Sequence, residues 1–144
     1  MTKISPGVLD EVFNFCQAAY PFEACGLLVG KEGAIVAAAP CANFAPDPRG
    51  SFRIDPGFHL RLQRSLREKG LAIVGTFHSH PDGEAAPSHA DVLGLPADDF
   101  LHLICAVRAG KPVAARLFAR SSRKNARARR PLVEQSLQLR KAVA

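Results

Sequence analysis

The chain has 144 residues, of which 47% are hydrophobic, and its formal net charge is +6. This length suits one domain with a real core, since a chain of this size buries roughly two-thirds of its unfolded surface. No apolar run approaches the roughly 20 residues of a membrane helix, and the N-terminal residues do not read as a secretory signal. The four cysteines form no C-x-x-C pair. We therefore expect a reduced, cytoplasmic protein without a membrane segment.

The first predicted elements are a helix and a β-hairpin. Residues 6–20 begin with Pro6, repeat apolar side chains at helical spacing and end before Pro21. Residues 23–29 form an apolar run that predicts a buried strand. The turn at Gly30–Gly33 leads back into a second strand over residues 34–38.

The second half of the chain alternates helices and strands. Residues 40–56 are rich in proline and predict an irregular passage with one short strand near residues 51–54. A helix is expected over residues 57–69, then a buried strand over 71–77 and a short helix over 88–95. Two further strands are expected over residues 100–107 and 112–118. This order predicts a single α/β domain with a mixed sheet flanked by helices.

The chain changes character at residue 121. Residues 1–120 carry no net charge, whereas the segment from 121 to 144 has seven Lys and Arg against Glu134 alone. We expect residues 1–120 to form the domain and 121–144 a basic, partly disordered tail. Residues 121–130 are expected to be disordered and residues 132–143 to form at most a marginal helix. The tail could contact nucleic acid or an acidic protein, but no nucleic-acid module or interleaved aromatic residues support nucleic acid.

Titratable side chains follow the apolar run at residues 71–77 in a compact pattern. His78 and His80 are two residues apart, so both imidazoles would project from the same face of a strand. Pro81 lacks an N–H and should end the strand pairing. Asp91 falls on the first turn of the following helix and can reach the same place. Two imidazoles and one carboxylate match a catalytic zinc site that keeps a fourth position for water.

Each residue of this pattern also has a structural interpretation. Two histidines at a strand end can lie at the surface or form hydrogen bonds in the core. Ser88 and Asp91 have the spacing of a helix capping box, which is compatible with a hydroxyl that also faces a metal. Glu23, before the first predicted strand, can be an ordinary surface charge. His89 could line the cleft, and His102 is expected to be structural or at the surface.

The motif HxHP-x6-SxxD over residues 78–91 resembles the signature of the JAMM (MPN+) metallopeptidases. The segment PFEACGLLVG at residues 21–30 resembles the part of that family that carries an upstream glutamate. The resemblance covers most of residues 6–119. It implies the MPN fold, which is similar to that of cytidine deaminases, with a curved mixed sheet flanked by helices.

The same resemblance implies a mechanism. Zinc would be bound by His78, His80 and Asp91, Glu23 would act as the general base, and Ser88 would donate a hydrogen bond to the developing oxyanion. Family members that cut ubiquitin chains carry insertions around the catalytic core, and this chain has no room for them. It resembles the compact prokaryotic members. We therefore expect a zinc-dependent peptidase or isopeptidase acting after the C-terminal Gly-Gly of a small ubiquitin-like sulfur-carrier protein.

Other functions remain open at this stage. The chain could be a non-catalytic MPN scaffold, which predicts missing ligands, or a general metallopeptidase of small peptides. A zinc deaminase would need H-x-E and P-C-x-x-C, and neither motif is present. The sequence leaves open the oligomeric state, the role of the tail, and whether Cys25 or His89 lines the active site.

Overall fold

A computed structural model of the chain describes residues 2–95, 99–121 and 131–139. The elements in these residues are β1 (Thr2–Ile4), α1 (Val8–Ala19), β2 (Cys25–Lys31), β3 (Ala34–Cys41), α2 (Pro56–Arg67), β4 (Ala72–Pro81), α3 (His89–Gly94), β5 (Leu101–Arg108), β6 (Lys111–Arg120), β7 (Leu132–Gln135) and β8 (Leu137–Leu139). All the strands belong to one sheet, in the order β7-β6-β5-β4-β2-β3-β1-β8. The predicted mixed α/β domain, with helices flanking a curved sheet, is confirmed.

Helix α1 covers one face of the sheet. Its apolar residues recur at helical spacing, so one stripe of the helix, including Val8, Val12 and Cys16, is buried. This stripe packs against alternate residues of the central strands, which include Leu28, Phe77 and Leu103. Because side chains alternate along a strand, His78 and His80 project from the other face.

The pairing of β2 with β4 relates the two segments that carry the candidate motif. The strands are antiparallel, and Cys25 lies opposite His78 while Leu27 lies opposite Thr76. A Cβ on Gly26 would overlap the ring of Phe77, so a side chain at this position would separate the two strands. On its other side, β4 runs parallel to β5.

The short strand predicted near residues 51–54 is wrong. Backbone groups of this segment pair locally: the Arg53 N–H donates to Asn43 Oδ1 at 3.1 Å, and the Arg53 carbonyl accepts from the Phe44 N–H at 3.0 Å. These bonds fold the segment into a loop over the site face of the sheet instead of adding it to the sheet.

The marginal helix predicted over residues 132–143 is also wrong, because residues 132–139 form β7 and β8. Strand β7 pairs with β6 at one end of the strand order, and β8 pairs with β1 at the other end. Only Ser136 separates the two strands, and its carbonyl accepts from the Thr2 N–H at 2.9 Å. This segment therefore joins the two ends of the sheet and satisfies backbone groups that edge strands would leave open.

The remaining tail residues, 122–130 and 140–144, lie outside the described residues, as does most of the segment predicted to be disordered. Among the described residues, no helix combines the length and the apolar character that crossing a bilayer requires.

The C-terminal strand pair makes a prediction about stability. Leu137 is half-buried and packs against the hydrophobic core. We expect Leu137→Ala to lower the free energy of unfolding by about 1–2 kcal/mol, less than the roughly 2–5 kcal/mol of a fully buried leucine because Leu137 is only half-buried. Urea unfolding followed by circular dichroism measures this change.

The matched control is Val133→Ala on the same segment, where the side chain is 47% exposed. This variant should stay within about 0.5 kcal/mol of the unmodified protein. Equal stability of the Leu137→Ala variant and the unmodified protein would show that this segment does not stabilise the sheet.

Candidate metal centre

Strand β4 carries the two histidines of the motif to its carboxyl end. The alternation of side chains along the strand brings the Nε2 atoms of His78 and His80 to 3.1 Å from each other. The His78 side chain is fully buried, and that of His80 is 14% exposed. The shared face predicted for these histidines is confirmed, and neither is a surface residue.

Helix α3 brings a carboxylate to the same point. Asp91 Oδ2 lies 3.2 Å from His78 Nε2 and 3.0 Å from His80 Nε2. The predicted capping box is present: Ser88 Oγ accepts from the Asp91 N–H at 3.0 Å, and Asp91 Oδ2 accepts from the Ser88 N–H at 2.9 Å. The cap therefore fixes the orientation of the carboxylate toward the imidazoles. The Ser88 hydroxyl uses an oxygen lone pair in the cap, so its hydrogen stays available for donation.

Glu23 lies just before β2 and is buried, with 5% of its surface exposed. A side-chain oxygen of Glu23 and ring nitrogens of His78 and His80 all lie within 4.8 Å of one another, a group that can hold a metal ion. Two backbone bonds hold the residue: its N–H donates to the Pro48 carbonyl at 2.8 Å, and its carbonyl accepts from Asn43 Nδ2 at 3.1 Å. Glu23 is therefore part of the cluster and not a surface charge.

The pKa values of the two carboxyl groups are shifted in opposite directions. Burial raises the pKa of Glu23 to about 7, with a lowering effect from His80 and a smaller increase from the charge of Asp91. Burial would also raise the pKa of Asp91. However, hydrogen bonds from the two imidazoles and from the Ser88 N–H hold it well below its usual range. At neutral pH, Asp91 is therefore a fixed anion, and Glu23 can exchange a proton.

The hydrogen bonds of the imidazoles define which nitrogens face the cluster. His80 Nδ1 lies 2.7 Å from the Glu84 carbonyl, which can only accept, so this nitrogen carries a hydrogen. In the neutral form of His80, the lone pair of Nε2 then faces His78 and Asp91. Burial lowers the pKa of His80, but its hydrogen bonds to Asp91 and to the Glu84 carbonyl outweigh burial and raise the pKa, so a proton can lie between His80 and Asp91 where no cation does. Burial lowers the pKa of His78, which favours its neutral form. Lone pairs on nitrogen and oxygen that converge in this way require a cation or a proton between them, so the donor set fits a divalent metal ion.

A loop over residues 43–53 covers one side of the cluster, and Asn43 organises it. Its Nδ2 lies within donor distance of the carbonyls of Glu23, Pro48 and Ser51, and its Oδ1 accepts from the N–H groups of Ala45 and Arg53. The loop places the ring of Phe52 on that of His78, with centroids 4.4 Å apart. The Asn43 side chain thus connects the backbone of Glu23 to the loop whose Phe52 packs on His78.

Sequence analysis did not identify Asn43, Phe52 or Ser79 as parts of the site. Ser79 is fully buried, and its Oγ accepts from the Ala24 N–H at 2.8 Å, which ties β4 to the residue after Glu23. The only available signal was the position of Ser79 between the two histidines. Asn43 and Phe52 lie in a passage without periodic pattern, so nothing in their spacing indicated a role.

The other histidines differ in their surroundings. His89 is exposed, and among the described residues no contact joins it to the cluster. His102 is fully buried, with Nδ1 2.9 Å from Thr76 Oγ1, so its role is structural and the surface alternative is wrong. Burial, followed by the charges of His78 and Arg120, lowers the pKa of His102 to about 4.

Cys25, the first residue of β2, lies next to the cluster. It is buried opposite His78, and its Sγ lies 3.8 Å from that of Cys41 in the neighbouring strand. The four cysteines have free thiols, of which those of Cys16, Cys25 and Cys105 are buried.

Known proteins resemble this chain in sequence and in fold. It is 33% identical over 87 residues to a desampylase of Haloferax volcanii, covering 59% of this chain and 63% of the relative. It is 32% identical over 91 residues to a CysO-cysteine peptidase of Mycobacterium tuberculosis, covering 62% of each chain. The matched region thus spans less than two thirds of these relatives. A solved structure from Desulfitobacterium hafniense is 26% identical, with a TM-score of 0.78, and the match covers 99% of this chain and 95% of that one.

The family comparison covers nearly all of the domain described above. The model for prokaryotic homologs of the JAB domain matches residues 5–121. This range begins before α1, includes both Glu23 and the motif at residues 78–91, and ends just after β6. The chain therefore belongs to the family of prokaryotic homologs of the JAB domain.

Proposed function

We propose that this protein is a zinc-dependent peptidase or isopeptidase that hydrolyses the amide bond after the C-terminal Gly-Gly of a small ubiquitin-like sulfur-carrier protein. The observation that carries this proposal is the convergence of His78, His80 and Asp91 on one point, with the buried carboxylate of Glu23 beside them. All five residues that the family motif requires, including Ser88, are present. This completeness argues against a non-catalytic scaffold.

His78, His80 and Asp91 would hold the zinc. When bound, zinc lowers the pKa of water and polarises a carbonyl group, which makes amide hydrolysis possible near neutral pH. The backbone carbonyl of Glu84 and the N–H of Ser88 would keep His80 and Asp91 in the binding orientation.

Glu23 would move the proton. Its raised pKa suits a group that takes a proton from the attacking water and gives it to the leaving nitrogen. In the reaction, the water oxygen bonds to the carbonyl carbon of the last glycine, and the bond from that carbon to nitrogen breaks. Ser88 lies beside Asp91 and would donate its hydroxyl hydrogen to the carbonyl oxygen that becomes negative. A contact of this type lowers the activation barrier by about 2.7–4 kcal/mol.

Two observations support the substrate class. The relatives include a desampylase, a CysO-cysteine peptidase and a probable TtuB-protein conjugate cleaving protease, and the last of these names describes the cleavage of a protein conjugate. The segment between His80 and Ser88 contains only a short loop, without the insertions that would grip a second folded protein. An extended Gly-Gly tail needs little more than backbone hydrogen bonds from a strand or loop edge.

Removing one ligand should remove the metal. We expect the unmodified protein, purified without added metal, to contain one zinc per chain, and His78→Ala to contain almost none because two donors remain. Elemental analysis measures this. His89→Ala is the matched control, since His89 is exposed and outside the cluster; it should keep the zinc. Loss of zinc in both variants, or in neither, would contradict the ligand assignment.

The proposed reaction is tested with carrier proteins extended beyond Gly-Gly. We expect intact-mass analysis to show one cut, directly after Gly-Gly, in samples with the zinc-loaded protein. Glu23→Gln keeps the size and hydrogen-bonding shape of the side chain but cannot take a proton, so it should keep the zinc and lose a factor of about 100 to 10,000 in rate.

Two results would contradict this proposal. A Glu23→Gln variant that keeps most of the rate would assign the base elsewhere. Equal cutting of unrelated unfolded peptides, without preference for the Gly-Gly junction, would leave a general metallopeptidase and discard the carrier substrate.

A further inference from the structure

A groove of about 580 Å³ has Glu23 in its wall. Its walls come from the end of α1, the start of β2 and residues 40–48. The described lining residues are Phe15, Ala18, Ala19, Phe22, Glu23, Ala24, Cys25, Pro40, Cys41, Ala42, Asn43 and Pro48. Glu23 is the only one of them with a charged side chain. The groove is therefore mostly apolar, with the candidate base as its charged lining residue.

One cation lies beside this groove. The guanidinium carbon of Arg49 is 5.7 Å from the centre of the ring of Phe22, a side chain that lines the groove and is 45% exposed. Arg49 follows Pro48, whose carbonyl accepts from the Glu23 N–H. The backbone of Arg49 is thus one residue from the hydrogen bond that joins this loop to Glu23. Its side chain forms no ion pair with a carboxylate in the described part of the chain, so it can receive an anion.

The chemistry of the proposed reaction decides which part of the substrate meets this groove. Glu23 must give its proton to the leaving nitrogen, so that nitrogen has to stand next to the Glu23 carboxylate. The group attached to the nitrogen then extends from Glu23 into the groove and toward Arg49. In an α-amino acid, the carboxylate is attached to the carbon that carries the nitrogen, so it would lie along the wall of the groove where Arg49 packs on Phe22.

We propose that this groove binds the leaving group and that Arg49 binds its α-carboxylate. This inference rests on the proposed function and defines its substrate: a carrier whose Gly-Gly terminus is extended by one amino acid with a small or apolar side chain. Hydrolysis would yield the free Gly-Gly carboxylate and the free amino acid, whose nitrogen takes the proton from Glu23. A lysine ε-amine of a conjugated protein has no carboxylate at this distance and would gain nothing from Arg49.

The test uses two carriers that differ by a single charge. One ends in Gly-Gly-Ala with a free carboxylate, and the other ends in Gly-Gly-Ala-amide. For the unmodified zinc-loaded protein, we expect kcat/KM to be about tenfold higher for the acid, the scale of one charge-assisted hydrogen bond. In Arg49→Gln, the rate with the acid should fall to that with the amide, and the rate with the amide should not change. Intact-mass analysis over time gives both rates.

The matched control is Arg53→Gln. Arg53 is also exposed, lies four residues further along the same loop, and lines a separate cavity that adjoins Asp91. This variant should keep the tenfold preference for the acid. Both arginine side chains are exposed, so the variants should fold, and circular dichroism and zinc content verify this.

Three results would overturn the inference. Equal rates for the acid and the amide with the unmodified protein would show that no cation of the protein binds the α-carboxylate. An unchanged preference in Arg49→Gln, or one lost equally in Arg53→Gln, would remove Arg49 from this role. Each of these leaves the cut after Gly-Gly, and thus the proposed function, in place. Absence of any cut in either carrier by folded, zinc-loaded protein would instead overturn the proposed function, and this inference with it.

Discussion

Two hydrogen bonds between Ser79 and Ala24 determine where the candidate base stands. The Ala24 N–H donates to Ser79 Oγ at 2.8 Å, and the Ser79 N–H donates to the Ala24 carbonyl at 3.1 Å. Ser79 lies between the two histidines, and Ala24 follows Glu23, so these bonds attach the candidate base to the middle of the histidine motif. A shift of the pairing by one residue would turn the histidines to the other face of the sheet. The site therefore depends on this register.

The same arrangement gives two carboxyl groups different environments within one cluster. Asp91 accepts hydrogen bonds from a helix cap and from imidazoles, which stabilise its charge. Glu23 is buried, and burial is the main cause of its raised pKa. Pairs of titratable groups whose surroundings separate their pKa values in this way are typical of acid–base catalysis. The two residues thus have the properties of a permanent ligand and of a proton carrier.

The sequence predicted the parts of the site that follow from local geometry. The shared face of His78 and His80 is a consequence of strand alternation, and the orientation of Asp91 is a consequence of its capping-box spacing from Ser88. Both features follow from the spacing of residues that are close in the sequence. The resemblance of residues 21–30 to the family segment was needed to add Glu23, since its contact with the histidines depends on strand pairing 55 residues along the chain.

The parts that sequence reasoning missed depend on contacts without a periodic signal. Asn43 acts through partners spread over residues 23–53, and no spacing rule connects them. The C-terminal strands were predicted as a marginal helix, since the few apolar residues of so short a segment do not distinguish the helical period from the strand period. These residues are extended because β7 pairs with β6 and β8 pairs with β1, toward opposite ends of the strand order. Propensity is a weak guide where such long-range pairing is available.

The central proposal is that His78, His80 and Asp91 would hold one zinc ion, with Glu23 beside it. X-ray absorption at the zinc edge of the loaded protein tests this most directly, since it counts imidazole ligands and distinguishes sulfur from oxygen and nitrogen. The account predicts two imidazoles and otherwise only oxygen, at about 2.0–2.2 Å, in four-coordinate geometry. A sulfur ligand at about 2.3 Å, which Cys25 or Cys41 would supply, or a third imidazole would contradict it.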